Sequence, residues 1–157
     1  MGWLKKSYWG VVKSEHFVGH LLLLLIRVYW GALLVVTGIG KLSNVSGVSE
    51  FFTSLNIPAP LLMTYIVAIV ELLGGISLFF GFFTRIMTIP LVVVFIVAYT
   101  TAHTEALLGF FIAPSVFVAQ EPFLYLYASL IVLSFGSGLF SLDYWLEKQG
   151  FHTELRF

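Results

Sequence analysis

The sequence predicts an all-α integral membrane protein, a four-helix bundle with an interfacial segment at its N-terminus. Of the 157 residues, 59% are hydrophobic and 10% are charged, whereas ordinary soluble domains carry about 25% charged residues. The apolar residues also gather into stretches close to the roughly 20 residues that cross a bilayer. Because the net charge is zero, no electrostatic attraction to nucleic acid is expected.

The N-terminal residues 1–20 are predicted to form an amphipathic segment in the membrane interface. They combine aromatic rings such as Trp3 with Lys5, Lys6 and Lys13, a mixture that is typical of the headgroup level. The apolar segment that follows reaches full spanning length, so we expect an uncleaved first helix rather than a signal peptide.

Four membrane spans are predicted, at about 20–40, 61–83, 86–102 and 123–141. Glycine, proline and charged residues separate them. The link between the second and third spans is so short that these two helices must form an antiparallel hairpin. Residues 103–122 are too interrupted by glycine and proline to span the membrane, and we expect them at the mouth of the bundle or in the interface.

The basic residues predict the orientation of this membrane domain, which covers residues 21–145 and precedes a tail at 146–157. With four spans, Lys41 alone lies on one side of the membrane. The other side carries Lys5, Lys6, Lys13, Arg85, Lys148 and Arg156. The positive-inside rule therefore predicts a multi-pass protein of the inner or plasma membrane, with both termini and the tail in the cytoplasm.

Two opposite charges inside consecutive apolar stretches are the strongest functional signal. Arg27 lies within residues 21–39 and Glu71 within residues 61–83. A charge at the centre of a span costs on the order of 3 kcal/mol, so each needs a partner, a proton or a polar cavity. Three interpretations remain open: a buried ion pair that fixes helix register, a polar pocket for a quinone head group or a proton relay, and a protonated Glu71.

The other charged candidates lie at the ends of the predicted spans. Lys41 and Arg85 are expected to extend toward the headgroups, with a specific lipid or protein contact as the alternative. His103, Glu105 and Glu121 are predicted to form an outer polar rim. Imidazole and carboxylates can also bind a divalent cation, but no close two-histidine spacing is present here, and no metal site is predicted.

Several short motifs, taken together, resemble the DoxX family of small four-helix membrane proteins. The resemblance covers roughly residues 21–145. It is carried by Arg27, Gly38-Ile39-Gly40-Lys41, Phe51-Phe52 with Leu55-Asn56-Ile57-Pro58, Val70-Glu71-Leu72-Leu73-Gly74-Gly75, Gly81-Phe82-Phe83-Thr84-Arg85, Gly136-Ser137-Gly138 and Ser141-Leu142-Asp143.

The resemblance implies a four-helix membrane bundle with a connection to redox metabolism. The family takes its name from membrane subunits tied to a terminal quinol oxidase and to thiosulfate:quinone oxidoreduction. Other members are linked to redox-stress complexes, and distant relatives act as membrane chaperones. The bundle is similar to those of quinone-linked thiol oxidoreductases, which use cysteines. This chain has no cysteine, which excludes thiol–disulfide exchange by this chain alone.

The sequence therefore predicts an accessory subunit of a membrane redox or respiratory assembly, placed in the bilayer among protein partners and near a quinone. No catalytic residue and no covalently bound cofactor are assigned, and catalysis by this chain alone is not favoured. One alternative is the membrane subunit of a quinone-reducing oxidoreductase of the thiosulfate:quinone type, with Arg27 and Glu71 around the head group. The other is a membrane assembly factor or chaperone.

Overall fold

The computed structural model describes the backbone of residues 2–149 and the side chains of residues 17–149. Within this part of the chain all regular structure is helical, which confirms the predicted all-α class. The helices are α1 Gly2–Ser43, α2 Val45–Ser54, α3 Pro60–Phe80, α4 Thr84–Thr101, α5 Thr104–Leu108, α6 Pro114–Val118, α7 Glu121–Phe135 and α8 Leu142–Lys148.

Four of these helices form the membrane bundle. Residues Phe17–Ser43 of α1, all of α3 and all of α4 are long and apolar enough to cross a bilayer, and α7 is a shorter apolar helix of 15 residues. α1 packs along α3, α3 against α4, and α4 against α7, whereas α1 and α7 touch only sparsely. The predicted integral membrane four-helix bundle is confirmed.

The bundle has two ends that differ in construction. The 81–83 connection and residues 136–149 lie at one end, which we call the turn end. Helices α2, α5 and α6 lie at the other, which we call the loop end. Between the ends, apolar side chains from all four long helices form the core: Leu34, Leu78, Leu91, Phe95, Tyr125 and Val132.

Glycines allow α1 and α3 to approach until their backbones touch. A Cβ on Gly31 would lie 2.7 Å from the backbone nitrogen of Phe79, and one on Gly75 would lie 2.7 Å from that of Val35. Gly38 contacts the backbone of α3 in the same way, closer to the loop end. Lipid supplies no hydrophobic force between helices, so such close van der Waals contact is what holds them together.

The predicted antiparallel hairpin between the second and third spans is present as α3 and α4. α3 ends at Phe80 and is followed by Gly81, whose φ of +71° lies in the left-handed region. α4 begins at Thr84. A side chain at Gly81 would also collide with the guanidinium of Arg27. This position therefore needs glycine both for its backbone conformation and for the space beside it.

The fourth span is shorter than predicted. The sequence indicates a helix to residue 141, but α7 ends at Phe135. Gly136 and Gly138 have φ values of +77° and +75° and turn the chain. The residues that follow fold back onto the bundle and do not continue through the bilayer. The prediction that residues 103–122 are too interrupted to span is consistent with two five-residue helices, α5 and α6.

The predicted N-terminal boundary at residue 20 is not a break in the backbone, because α1 runs without interruption from Gly2 to Ser43. The side chains of residues 1–16 and all of residues 150–157 lie outside the described part of the chain. The interfacial position of residues 1–20 and the cytoplasmic tail at 146–157 therefore stay predictions.

Candidate functional site

The two charges inside the predicted spans do not pair with each other. Arg27 donates to backbone carbonyl groups at the turn end, and Glu71 pairs with Lys41. The reason is depth: Arg27 is level with Leu78, which lies seven residues beyond Glu71 on α3, about 10 Å along the helix axis. The interpretation of an Arg27–Glu71 ion pair is therefore wrong.

The guanidinium of Arg27 is enclosed by backbone carbonyl groups, and the residue is 1% exposed. Its Nε donates to the carbonyl oxygen of Leu78 at 3.1 Å, and its Nη1 and Nη2 both lie 3.3 Å from that of Phe140. Nη1 also donates to the carbonyl oxygen of Ser137. Leu78 lies in the last turn of α3, where helix carbonyls carry partial negative charge. Backbone dipoles thus supply the hydrogen-bond acceptors around this buried cation.

A carboxylate from the C-terminal region caps α4. Asp143 accepts hydrogen bonds from the backbone N–H groups of Phe83 at 2.8 Å and Thr84 at 3.1 Å, and from the Thr84 hydroxyl. Its own N–H donates to the carbonyl oxygen of Gly81 at 2.8 Å. Phe83 occupies the N-cap position of α4 and has no capping oxygen, so a residue 60 positions later provides the cap.

The sequence interpretation misses this role of Asp143, which it places only in a family motif. The sequence does contain a signal for this cap. The third predicted span, which is α4 in the structure, follows Phe82 and Phe83, and neither is one of the Ser, Thr, Asp or Asn residues that usually cap a helix. An uncapped start inside a membrane protein implies that another part of the chain satisfies the free N–H groups. Arg27, Gly81 and Asp143 therefore form one structural junction at the turn end.

Replacing Asp143 with alanine should lower the free energy of unfolding by about 2 kcal/mol, the upper value for loss of an N-cap. Two N–H groups and a hydroxyl lose their acceptor at the start of α4. The measurement is thermal unfolding of the detergent-solubilised protein, followed by size exclusion. Glu50→Ala, on the exposed surface of α2, is the matched control and should change little. Equal stability of the two variants would contradict the capping role.

Glu71 and Lys41 form an ion pair between α3 and α1. The Lys41 Nζ lies 2.5 Å from Oε2 of Glu71, and the two side chains are 27% and 5% exposed. Lys41 stands near the C-terminal end of α1, and helical side chains lean toward the N-terminus of their helix. In place of the expected headgroup contact, its ammonium thus neutralises the carboxylate at the middle of α3.

Breaking the Lys41–Glu71 pair from either side should cost about 2 kcal/mol, because an unpaired charge is left between two spans. The loss is smaller than for a fully enclosed pair, since Lys41 is partly exposed. Glu71→Gln, Lys41→Gln and the double variant form a thermodynamic cycle, measured by unfolding in detergent. We expect the double variant to be more stable than the sum of the single losses implies. Strict additivity would show that the two charges do not interact.

A row of aromatic rings crosses the sparsely packed α1–α7 seam. The Tyr29 ring, 60% exposed, contacts Trp30 at 5.0 Å between centroids. Trp30 contacts Tyr125 at 5.3 Å, and Tyr125 stacks on Phe95 at 5.4 Å. The row therefore leads from the outer surface of α1 to the core of the bundle, and flat apolar walls of this kind suit a planar ligand.

The remaining predicted residues lie at the ends of the bundle. His103 contacts the Tyr99 ring at 6.0 Å, and together with Glu105 it lines a cavity of about 360 Å³ at the loop end. Glu121 begins α7 at the same end but is not part of that cavity wall. Across residues 17–149, no group of three His, Asp or Glu side chains is placed to hold a metal ion. Arg85 is exposed at the turn end.

Comparisons with known proteins find a family model and a relative that match this chain. The family model for DoxX matches residues 22–104. A protein of Bacillus subtilis (strain 168) named "Putative oxidoreductase CatD" is 32% identical over 120 residues, which cover 76% of this chain and 83% of that protein. No solved structure shows a significant match.

Proposed function

The chain belongs to the DoxX family, and on this premise we propose that it is an accessory subunit of a membrane redox assembly that works beside a membrane quinone. Membership confirms the resemblance drawn from the sequence motifs. The chain is also a membrane protein, as its apolar spans indicate.

The observation that carries the proposal is that both buried charges are engaged with the protein itself. Arg27 donates to three backbone carbonyl groups, and Glu71 is bound by Lys41. A general acid or base must reach the reacting atoms of a substrate, whereas these two groups hold helices together. This supports a subunit whose interior is structural and whose contacts with partners involve its outer surface.

The outer surface of the bundle suits partner subunits within the membrane. Large apolar side chains are exposed along all four long helices, including Val36 on α1, Ile69 on α3, Val93 on α4 and Leu130 on α7. Lipid or another membrane helix can cover such faces equally well, because dispersion contacts decide between them. The sparsely packed α1–α7 seam is one of these faces.

The aromatic row at this seam fits a quinone. Trp30 and Tyr29 would lie against the flat ring, and the Tyr125 hydroxyl would donate a hydrogen bond to a ring oxygen. A bound quinone supplies two-electron redox chemistry. The sequence placed Arg27 at this head group. In the proposal Tyr125 takes that place, because the N–H groups of Arg27 already have carbonyl acceptors.

A second candidate is the membrane subunit of a quinone-reducing oxidoreductase. It is favoured by the name of the Bacillus subtilis relative, which describes that protein as an oxidoreductase. In that case any thiol or cysteine-ligated iron–sulfur centre belongs to a partner protein, since this chain has no cysteine. Isolation of the intact complex and identification of its subunits distinguishes this candidate, and a membrane chaperone, from the accessory subunit.

The test is gentle solubilisation, separation by native size, identification of co-migrating proteins and assay of the extracted lipid for quinone. We expect a stoichiometric complex that contains haem, copper or flavin subunits, with quinone in it. Trp30→Leu should lose the quinone, while Phe80→Leu, a lipid-facing control on α3, should keep it. A lone small particle without quinone would contradict the redox assignment and leave a chaperone or lipid-facing scaffold.

We further propose that the turn end faces the cytoplasm at the inner or plasma membrane, as the distribution of Lys and Arg predicts. The absence of cysteine allows a direct test with single cysteines and a membrane-impermeant maleimide. Ser54→Cys at the loop end should be labelled in intact cells, and Lys148→Cys at the turn end only after permeabilisation. The reverse labelling pattern would contradict this orientation.

A further inference from the structure

A cavity at the turn end is used by none of the roles above. It encloses about 450 Å³ between the start of α1's membrane span, the start of α4, the end of α7 and α8. Its polar lining side chains are His20, Thr84, Arg85, Ser137, Asp143, Tyr144 and Glu147. The wall therefore contains both hydrogen-bond donors and carboxylates.

Two donors in this wall are suited to an oxyanion. The guanidinium of Arg85 lies against Gly136, where a Cβ would be 3.3 Å from Nε and Nη2, and it makes no ion pair with any side chain among residues 17–149. The Nδ1 of His20 accepts the N–H of Leu139 at 3.4 Å. The proton of the neutral imidazole is therefore on Nε2, which leaves a second donor.

The position of the cavity specifies where such an oxyanion comes from. Arg85 is the second residue of α4 and Phe135 is the last of α7, so the cavity lies where two apolar helices meet the headgroup layer. Exposed apolar side chains line the same cavity: Phe135 is 72% exposed, and Ile86 and Leu139 are also exposed. These side chains offer a surface for acyl chains next to a polar pocket.

We propose that the turn-end cavity binds the phosphate group of a membrane phospholipid, with Arg85 and His20 as donors and the acyl chains along Ile86, Phe135 and Leu139. The planar guanidinium presents paired N–H groups that match phosphate oxygens. A soluble phosphate has the same oxygens but gains nothing from the apolar rim, which favours the lipid.

The cavity wall also contains two carboxylates, those of Asp143 and Glu147. The two oxygens of Asp143 are directed at the N–H groups that begin α4, so this charge is balanced within the protein. Glu147 lies on α8. The guanidinium of Arg85 lies against Gly136, so the phosphate binds on that side of the cavity.

The test is native mass spectrometry of the delipidated protein, with phosphatidylglycerol and with diacylglycerol of the same acyl chains as probes. We expect the parent protein to retain phosphatidylglycerol and not diacylglycerol. Arg85→Gln should lower the retained phosphatidylglycerol at least tenfold. Lys148→Gln, which removes a neighbouring exposed cation outside the cavity, should change it less than twofold.

Three results would overturn the proposal. The first is equal retention by Arg85→Gln and the parent, and the second is retention of diacylglycerol as strong as that of phosphatidylglycerol. The third is protection against heating by millimolar inorganic phosphate as large as that given by the lipid, which would assign the cavity to a soluble anion. Unfolding temperatures measured without lipid confirm that Arg85→Gln is folded, so loss of binding is distinguishable from loss of structure.

Discussion

Replacing Gly75 with leucine should separate α1 from α3 and lower the free energy of unfolding by about 3 kcal/mol. Even a single Cβ at this position would lie 2.7 Å from the backbone nitrogen of Val35 and 2.8 Å from the carbonyl oxygen of Gly31. Both neighbours are backbone atoms of α1, so no side chain can rotate away. The helix itself must move, and the Lys41–Glu71 pair that spans the same two helices must lengthen with it.

The measurement is unfolding of the detergent-solubilised variant, with Gly40→Leu as the control. Gly40 is an exposed glycine near the end of α1, and a Cβ added there would meet no other atom within 4 Å, so leucine should cost little. The pair of variants separates the effect of packing from the effect of adding an apolar side chain to a membrane helix. Equal stability of both variants would show that α1 and α3 are not in backbone contact.

Replacing Arg27 with methionine should lower the free energy of unfolding by about 4 kcal/mol, because three buried carbonyl groups lose their donors at once. The methionine fills a similar volume, so the loss reports on hydrogen bonds and not on a cavity. The carbonyl groups of Ser137 and Phe140 belong to the segment that folds back after α7, and that segment should detach first. Limited proteolysis between residues 136 and 143 measures this directly.

Arg27→Lys is the matched control for charge. An ammonium keeps the cation but cannot present the planar fork that reaches three acceptors. We therefore expect a stability between those of the parent and of Arg27→Met. If Arg27→Met were as stable as the parent and equally resistant to protease, Arg27 would not be the residue that holds the turn end together.

The fold is predictable because it depends on lengths and composition. Apolar stretches of spanning length indicate helices in a bilayer, and a link as short as Gly81 to Phe83 permits only an antiparallel hairpin. The end of α7 is not predictable in this way. Small residues such as Gly136 and Gly138 often serve close helix packing, but here they turn the chain through positive φ values. Composition alone does not distinguish these two roles.

The sequence also does not predict which groups bind the two buried charges. Counting along two helices puts Arg27 and Glu71 within reach of one long side chain, which favours an ion pair. The actual acceptors of Arg27 are backbone carbonyl groups, which every residue possesses and no motif marks. The sequence places Lys41 at the headgroups because it ends a span, although a flexible lysine can equally turn back along its helix.

The return of residues 137–143 onto the first three spans has a consequence for biosynthesis. Arg27 is translated early, but two of its three acceptors and the cap of α4 come from residues more than 100 positions and about 60 positions later. Until the ribosome has released that last segment, the first membrane span carries a cation without its full set of acceptors, and α4 starts with unsatisfied N–H groups. Assembly of the bundle is therefore completed only by its C-terminal region, and an interrupted chain exposes a charged, incompletely closed membrane helix that quality-control proteases can recognise.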